Sequence, residues 1–225
     1  MAKKKQTVED QNLENVQEAL NTTSVWIEKN QNKLTWAVTI IVALVVGALA
    51  LNTYVIKPKA VEASNENAKA VTYFMQGNWE KALNGDDAEC IGFQAIADEY
   101  KCYQSGKLAA LYAGVCYYQL GQYEDAAAYL KKFSADDLTI EPAALQLLGD
   151  AYVQMEDYAK AVKAFESAAK SGNQLIAPMS LKKAGFVYLE MGNKTAAKKA
   201  FETIKADYPA SAEAQDIDKY IAVAE

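Results

Sequence analysis

The sequence predicts an all-α protein: one transmembrane helix followed by an α-solenoid of helix hairpins with a C-terminal capping helix. Three observations predict it. An uncharged run of 23 residues, Leu34 to Ile56, is closed by lysines at both ends. Beyond it, apolar residues recur at helical spacing with few β-branched runs. In that same region a pattern of small and aromatic residues returns every 35 to 36 positions, as repeat arrays do.

The uncharged run is the membrane candidate. As a helix it is about 35 Å long, enough to cross a hydrocarbon core. Trp36 and Tyr54 stand near its ends, where amphipathic rings favour the interface. A cleaved signal peptide is the rival reading, because Ala48-Leu49-Ala50 resembles a small-x-small cleavage site. Against it, the preceding segment is long and the apolar run continues past the site. No cysteine follows that would carry a lipid. A buried helix of a soluble domain is the other alternative, and the length argues against it. Five lysines precede the run, whereas Lys57, Lys59 and Lys69 follow it. That bias places the N-terminus in the cytoplasm and the long C-terminal part outside, in a periplasm where the cell has one. Residues 1–33 are nearly neutral, and Leu13, Val16, Leu20 and Ile27 share roughly one helical face. They read as either a short amphipathic helix or a frayed cytoplasmic tail.

Residues 57–225 hold the whole net charge of −6. Three segments align in every column. The first is Ala110, Gly114, Tyr117, Gly121, Tyr123, Ala126 and Leu130. The second is Leu145, Gly149, Tyr152, Glu156, Tyr158, Ala161 and Phe165. The third is Leu181, Gly185, Tyr188, Gly192, Lys194, Ala197 and Phe201. Each column has a physical job. Gly114, Gly149 and Gly185 let two helices approach, at a cost in helix propensity. Gly121 and Gly192 end the first helix in a left-handed cap. Ala126, Ala161 and Ala197 give the returning helix a small face, and Leu130, Phe165 and Phe201 close the pair.

This pattern resembles the tetratricopeptide repeat, a 34-residue helix-turn-helix unit, with Glu156 in place of the turn glycine and Lys194 in place of the turn aromatic. The expected units are repeats 107–141, 142–177 and 178–209. An atypical repeat over 61–106 precedes them, signalled by Tyr73, Gly77, Trp79 and Ala82, and a capping helix over 210–225 follows. Loop residues Ser134–Leu138 and Ser171–Gln174 absorb the extra length of each step.

The resemblance implies a concave groove lined by the first helix of each repeat. On this chain those positions are Leu111, Val115, Tyr118 and Gln119, then Gln146, Asp150, Val153 and Gln154, then Lys182, Phe186, Leu189 and Glu190. Such a lining suits an extended peptide or a partner helix, while several of these side chains could instead cover the next helix. The subtype that clamps a terminal carboxylate needs Lys and Asn in the groove. Leu111 and Val115 stand at those positions in the first repeat, so that activity is not expected.

Composition excludes other classes. All 23 basic residues are Lys; there is no Arg and no His. Ser-His-Asp and Cys-His catalysis, His metal ligation and arginine fingers are therefore ruled out. Guanidinium readout of phosphate or guanine is missing too, and with a net acidic chain no nucleic-acid partner is expected. Cys90, Cys102 and Cys116 are spaced by 12 and 14 residues, which forms no C-x-x-C metal or redox pair. They read as small apolar packing residues, with one bridge, Cys90 to Cys102, as the alternative in an oxidising compartment. Asp86-Asp87 and Asp136-Asp137 fall in predicted loops with no nucleophile or base nearby. Gly85-Asp86-Asp87 lacks a calcium-loop spacing, and no phosphate loop occurs. No cofactor, metal or small-molecule substrate is expected, and no enzymatic activity.

A short cytoplasmic N-terminus, one signal anchor and an exported repeat domain together resemble the YfgM-type proteins. The phrases that carry the likeness are Gly77-Asn-Trp-Glu-Lys-Ala-Leu, Gly92-Phe-Gln-Ala-Ile-Ala-Asp-Glu-Tyr100, Leu148-Gly-Asp-Ala-Tyr152 and Ile217-Asp-Lys-Tyr-Ile221. The resemblance implies a bacterial inner-membrane protein with a periplasmic repeat domain. It also implies association with the Sec translocon and chaperone-like binding of envelope or newly exported proteins. A structural assembly scaffold for another envelope complex, in outer-membrane or division machinery, is the alternative.

Overall fold

The computed structural model describes residues 8–86 and 89–225, with side chains from residue 25 onward. The chain divides after Pro58 into two compact units. Among the described residues all regular structure is helical, apart from one isolated bridge between Asp86 and Cys90.

The first unit is built on helix α1, Val8–Leu51, followed by a π-helical turn at Asn52–Ile56 and the start of α2, Lys57–Met75. The sequence sets 34–56 as the membrane-spanning segment and leaves 1–33 as a short helix or a frayed tail. The helix that holds most of that segment begins at Val8, and no Gly or Pro interrupts the chain before Gly47. Leu13, Val16 and Leu20 lie outside the described side chains. The π turn has a local cause. Pro58 has no N–H and its ring crowds the carbonyl four residues back. The helix widens just before it, and the Lys57 N–H bonds to the Asn52 carbonyl five residues earlier. Thr35 and Thr39 turn their hydroxyls onto the carbonyls of Gln31 and Thr35, which satisfies both inside the helix. The stretch from Val25 holds an 18-residue window apolar enough to cross a membrane, and none of that window is buried.

The second unit runs through α3 (Trp79–Asn84), α4 (Gly92–Glu99), α5 (Gln104–Gln119), α6 (Tyr123–Leu130), α7 (Ile140–Gln154), α8 (Tyr158–Ala169), α9 (Ile176–Glu190) and α10 (Lys194–Asp207). A 3₁₀ turn at Ala212–Asp216 and α11, Ile217–Val223, complete it. Three antiparallel hairpins, α5/α6, α7/α8 and α9/α10, stack in order. Each hairpin turn is closed by one device. The N–H of Gln122, Asp157 or Asn193 bonds back to the carbonyl of Tyr117, Tyr152 or Tyr188, and Asn78 does the same to Tyr73 upstream. That bond needs a left-handed residue one position earlier. Gly77, Gly121 and Gly192 supply it at φ of 71° to 75°, whereas Glu156 adopts φ 57° and bears the left-handed strain of a residue with a Cβ. Asn78, Asp157 and Asn193 then cap the returning helix with their side-chain oxygens.

The packing seam follows the columns. A Cβ on Gly114 would sit 2.6 Å from Leu130 Cγ, and one on Gly149 would sit 2.5 Å from Phe165 Cε1. The ring of Phe201 occupies the same place over Gly185. Phe165, Phe201 and the three column alanines are fully buried, or nearly so. Burying each such aromatic side chain contributes on the order of 2–3 kcal/mol. Upstream, Phe74 of α2 meets Trp79, Phe93 and Tyr112 edge-on at centroid distances of 5.1, 6.1 and 5.0 Å. At the far end Ile217 and Ala224 are buried with Phe201 and Ile204.

Candidate protein-binding groove

A helix places residues i, i+3, i+4 and i+7 on one face. On α5 the expected groove residues Leu111, Val115, Tyr118 and Gln119 form such a stripe, and Leu108 extends it by one turn. On α7 the stripe is Gln146, Asp150, Val153 and Gln154, extended by Ala143. On α9 it is Lys182, Phe186, Leu189 and Glu190, extended by Met179. Leu108 and Met179 are 37% and 36% exposed and add apolar surface to the stripe. The sequence reading missed this first-turn row. Its members are Leu, Ala and Met, so no column of like residues marks it.

Successive first helices touch, α5 with α7 and α7 with α9. The ion pair between Lys183 Nζ and Asp150 Oδ2, at 2.6 Å, bridges the latter two. The candidate residues therefore differ in what they can offer a ligand. Gln119, Gln154 and Glu190 are exposed in the last turns, and neither glutamine amide is hydrogen-bonded within the described chain. Leu111, Tyr118 and Val153 are half-buried and pack partly on the core, and Val115 is half-buried. Tyr118 also meets Tyr123 edge-on at 5.4 Å. Gln146 is buried, and Asp150 is committed to Lys183.

The third stripe is largely taken by the C-terminal cap. Lys182 Nζ donates to Asp216 Oδ1 at 2.8 Å and lies 5.1 Å from the Tyr220 ring centre. Phe186 meets Tyr220 edge-on at 4.8 Å, and Leu189 packs in the same terminal cluster. The cap thus covers the last repeat as α9 covers α7. Lys182 and Lys219 both donate to Asp216 and hold its carboxyl down at about 2. Where the sequence reading placed four groove residues on α9, Glu190 and the edge of Phe186 are what stays open.

At the turn edge the groove meets a crevice of about 500 Å³ lined by Gly121, Gln122, Tyr123, Glu124, Asp125, Gln154 and Met155. Glu124 and Asp125 lie in the first turn of α6, where they favour the helix dipole, and among the described residues no lysine pairs with either.

The cysteines take no part. All three are free thiols, so the alternative Cys90–Cys102 bridge is not formed. Cys90 and Cys116 are buried, and burial pushes the Cys116 thiol up to about 12. Cys102 is exposed. Among the described residues no cluster of His, Cys, Asp or Glu could hold a metal ion.

Comparison with known proteins agrees with this architecture. Residues 108–136 and 181–211 match one tetratricopeptide repeat model, and residues 142–171 match a second. No curated protein matches the chain in sequence. Among solved structures, a MamA crystal structure aligns over 69% of this chain and 91% of that one at 21% identity, with a TM-score of 0.50. A second MamA structure aligns over 72% and 89% at 20% identity, with a TM-score of 0.53. The nearly identical TPR-like repeats from Podosopora anserina align over 73% and 85% at 13% identity, with a TM-score of 0.55. At these identities the likeness is one of fold. Three segments of the chain thus match tetratricopeptide repeat models, a repeat that typically forms protein–protein interaction scaffolds, and the fold is a helical solenoid like those of the solved structures.

Proposed function

We propose that this protein is a membrane-anchored tetratricopeptide scaffold that binds envelope or newly exported proteins, as an ancillary, chaperone-like factor beside the translocon. One observation carries the reading. A stripe of exposed amides and apolar side chains shares a chain with a long apolar helix whose membrane-length window is not buried among the described residues. A surface of that size with no protein cover calls for lipid. The anchor sets the mechanism: tethering holds the repeats at the bilayer, where effective concentration replaces high intrinsic affinity. The lysine bias around residues 34–56 supports a cytoplasmic N-terminus and a periplasmic repeat unit in the inner membrane of a bacterium.

Site-specific photocrosslinking in cells tests it. A photoreactive residue at Gln119 or Gln154, with a reporter fused after Lys59 to fix topology, should crosslink translocon subunits or chains in transit. Crosslinks confined to outer-membrane or division proteins would favour the assembly-scaffold alternative. Release of the chain from membranes by alkaline carbonate would remove the anchor from the argument.

A further inference from the structure

The geometry points to a specific occupant for the open part of the groove: an extended apolar stretch of polypeptide with a basic residue at the end that lies by the hairpin turns. This rests on the groove reading above and adds the chemistry of the partner. First, the middle of the groove has no charge to offer. Asp150 is neutralised by Lys183 and Lys182 by Asp216, at 2.6 and 2.8 Å, so a charged side chain placed there would lose water without gaining a partner. Second, what is open along the stripes is apolar and adaptable, led by the exposed Leu108 and Met179 with the half-buried Val115. Third, Gln119 and Gln154 stand one repeat apart with free amides, each able to donate to and accept from an extended backbone whatever its side chains are. Fourth, the crevice at the first hairpin turn is lined by carboxylates and by no lysine. Among the described residues Glu124 and Asp125 have no ion-pair partner and line the crevice beside Gln154, while Glu190 lies farther along the edge, where the exposed Lys194 opens α10. The field there attracts a cation and repels a carboxylate.

The test is fluorescence anisotropy on the full chain in detergent, with labelled peptides sharing one eight-residue apolar core. One carries a terminal Lys, one a terminal Glu and one no charge. The expected order is Lys tightest and Glu weakest, with about a tenfold gap at low salt that narrows as screening increases. Substituting Glu124→Gln together with Asp125→Asn should erase the gap and leave the uncharged peptide's affinity unchanged. Circular dichroism checks the fold of that variant, and Glu190→Gln should narrow the gap independently. Binding by all three peptides with equal affinity would overturn the charge preference and leave the groove standing, provided Val115→Glu still weakens them together. No binding by any peptide, or binding untouched by Val115→Glu, would overturn the groove itself.

Discussion

Replacing Gly149 with alanine separates two forces that act on the same atom. By helix propensity alone the change in the middle of α7 stabilises by about 1 kcal/mol. Packing says the opposite. The new Cβ would stand 2.5, 2.6 and 2.9 Å from three atoms of the Phe165 ring, where ordinary contact begins near 3.4 Å. The ring must therefore withdraw by about 0.9 Å, yet it is only 1% exposed and Lys183 of α9 lies beyond it, 5.8 Å from its centre. The ring itself is enclosed, so relief requires α7 and α8 to shift apart. Overpacking of this kind costs about 1–3 kcal/mol, and three short contacts at once place it at the upper end. The net expectation is a loss of about 2 kcal/mol after the propensity gain is subtracted. The assay is urea unfolding of the full chain in detergent, followed by circular dichroism at 222 nm (α1 contributes a constant baseline). Phe165→Leu in the Gly149→Ala background should recover part of the loss, and the double-mutant cycle should show coupling of the order of 1 kcal/mol. A Gly149→Ala chain as stable as the parent, or more so, would refute the close-approach account of the glycine column.

Two further outcomes follow from burial. Of the three thiols, Cys102 should react with a maleimide within minutes at pH 8, whereas Cys90 and Cys116 should react only on unfolding; mass spectrometry of the labelled native chain counts the adducts. Tyr117, Tyr129 and Tyr188 have phenols pushed up to about 12, chiefly by burial, so their share of stability is intact below the unfolded value near 10 and lost as pH rises toward 12. Absorbance at 295 nm should accordingly show these tyrosines ionising late and together with the loss of helix, and simple titration near pH 10 of every tyrosine would contradict the packing.

The columns were legible in the sequence because they answer to packing that recurs. Gly149 and Phe165 must coexist wherever α7 and α8 touch, and the same demand at Gly114/Leu130 and Gly185/Phe201 makes the period visible. Glu156 was legible as a departure from that pattern, and it does sit in the left-handed turn that glycine fills elsewhere. Features that occur once were harder to read. The cap's hold on Lys182 and Phe186 depends on Asp216 and Tyr220, which belong to no repeat column. The early start of α1 was obscured because hydropathy marks where a helix enters lipid, whereas backbone breakers mark where a helix begins. Groove residues were placed by analogy of position, and position alone could not say which of them the chain itself would consume.

That division follows from helix geometry. On α7 the packing face runs through Leu145, Leu148, Gly149 and Tyr152, and the groove face through Ala143, Gln146, Asp150 and Val153, roughly a third of a turn away at about 100° per residue. Each face answers to a different constraint. The first is held by the returning helix, so its residues vary little from hairpin to hairpin within this one chain. The second meets whatever comes next, and so it changes from Leu and Val on α5, to Gln and Asp on α7, to Lys and Phe beneath the cap. The likeness to solved structures at 13–21% identity is one of fold and names no partner. A partner has to be inferred from the second face, and there the amides and carboxylates of the turn edge carry more information than any column that made the repeats recognisable.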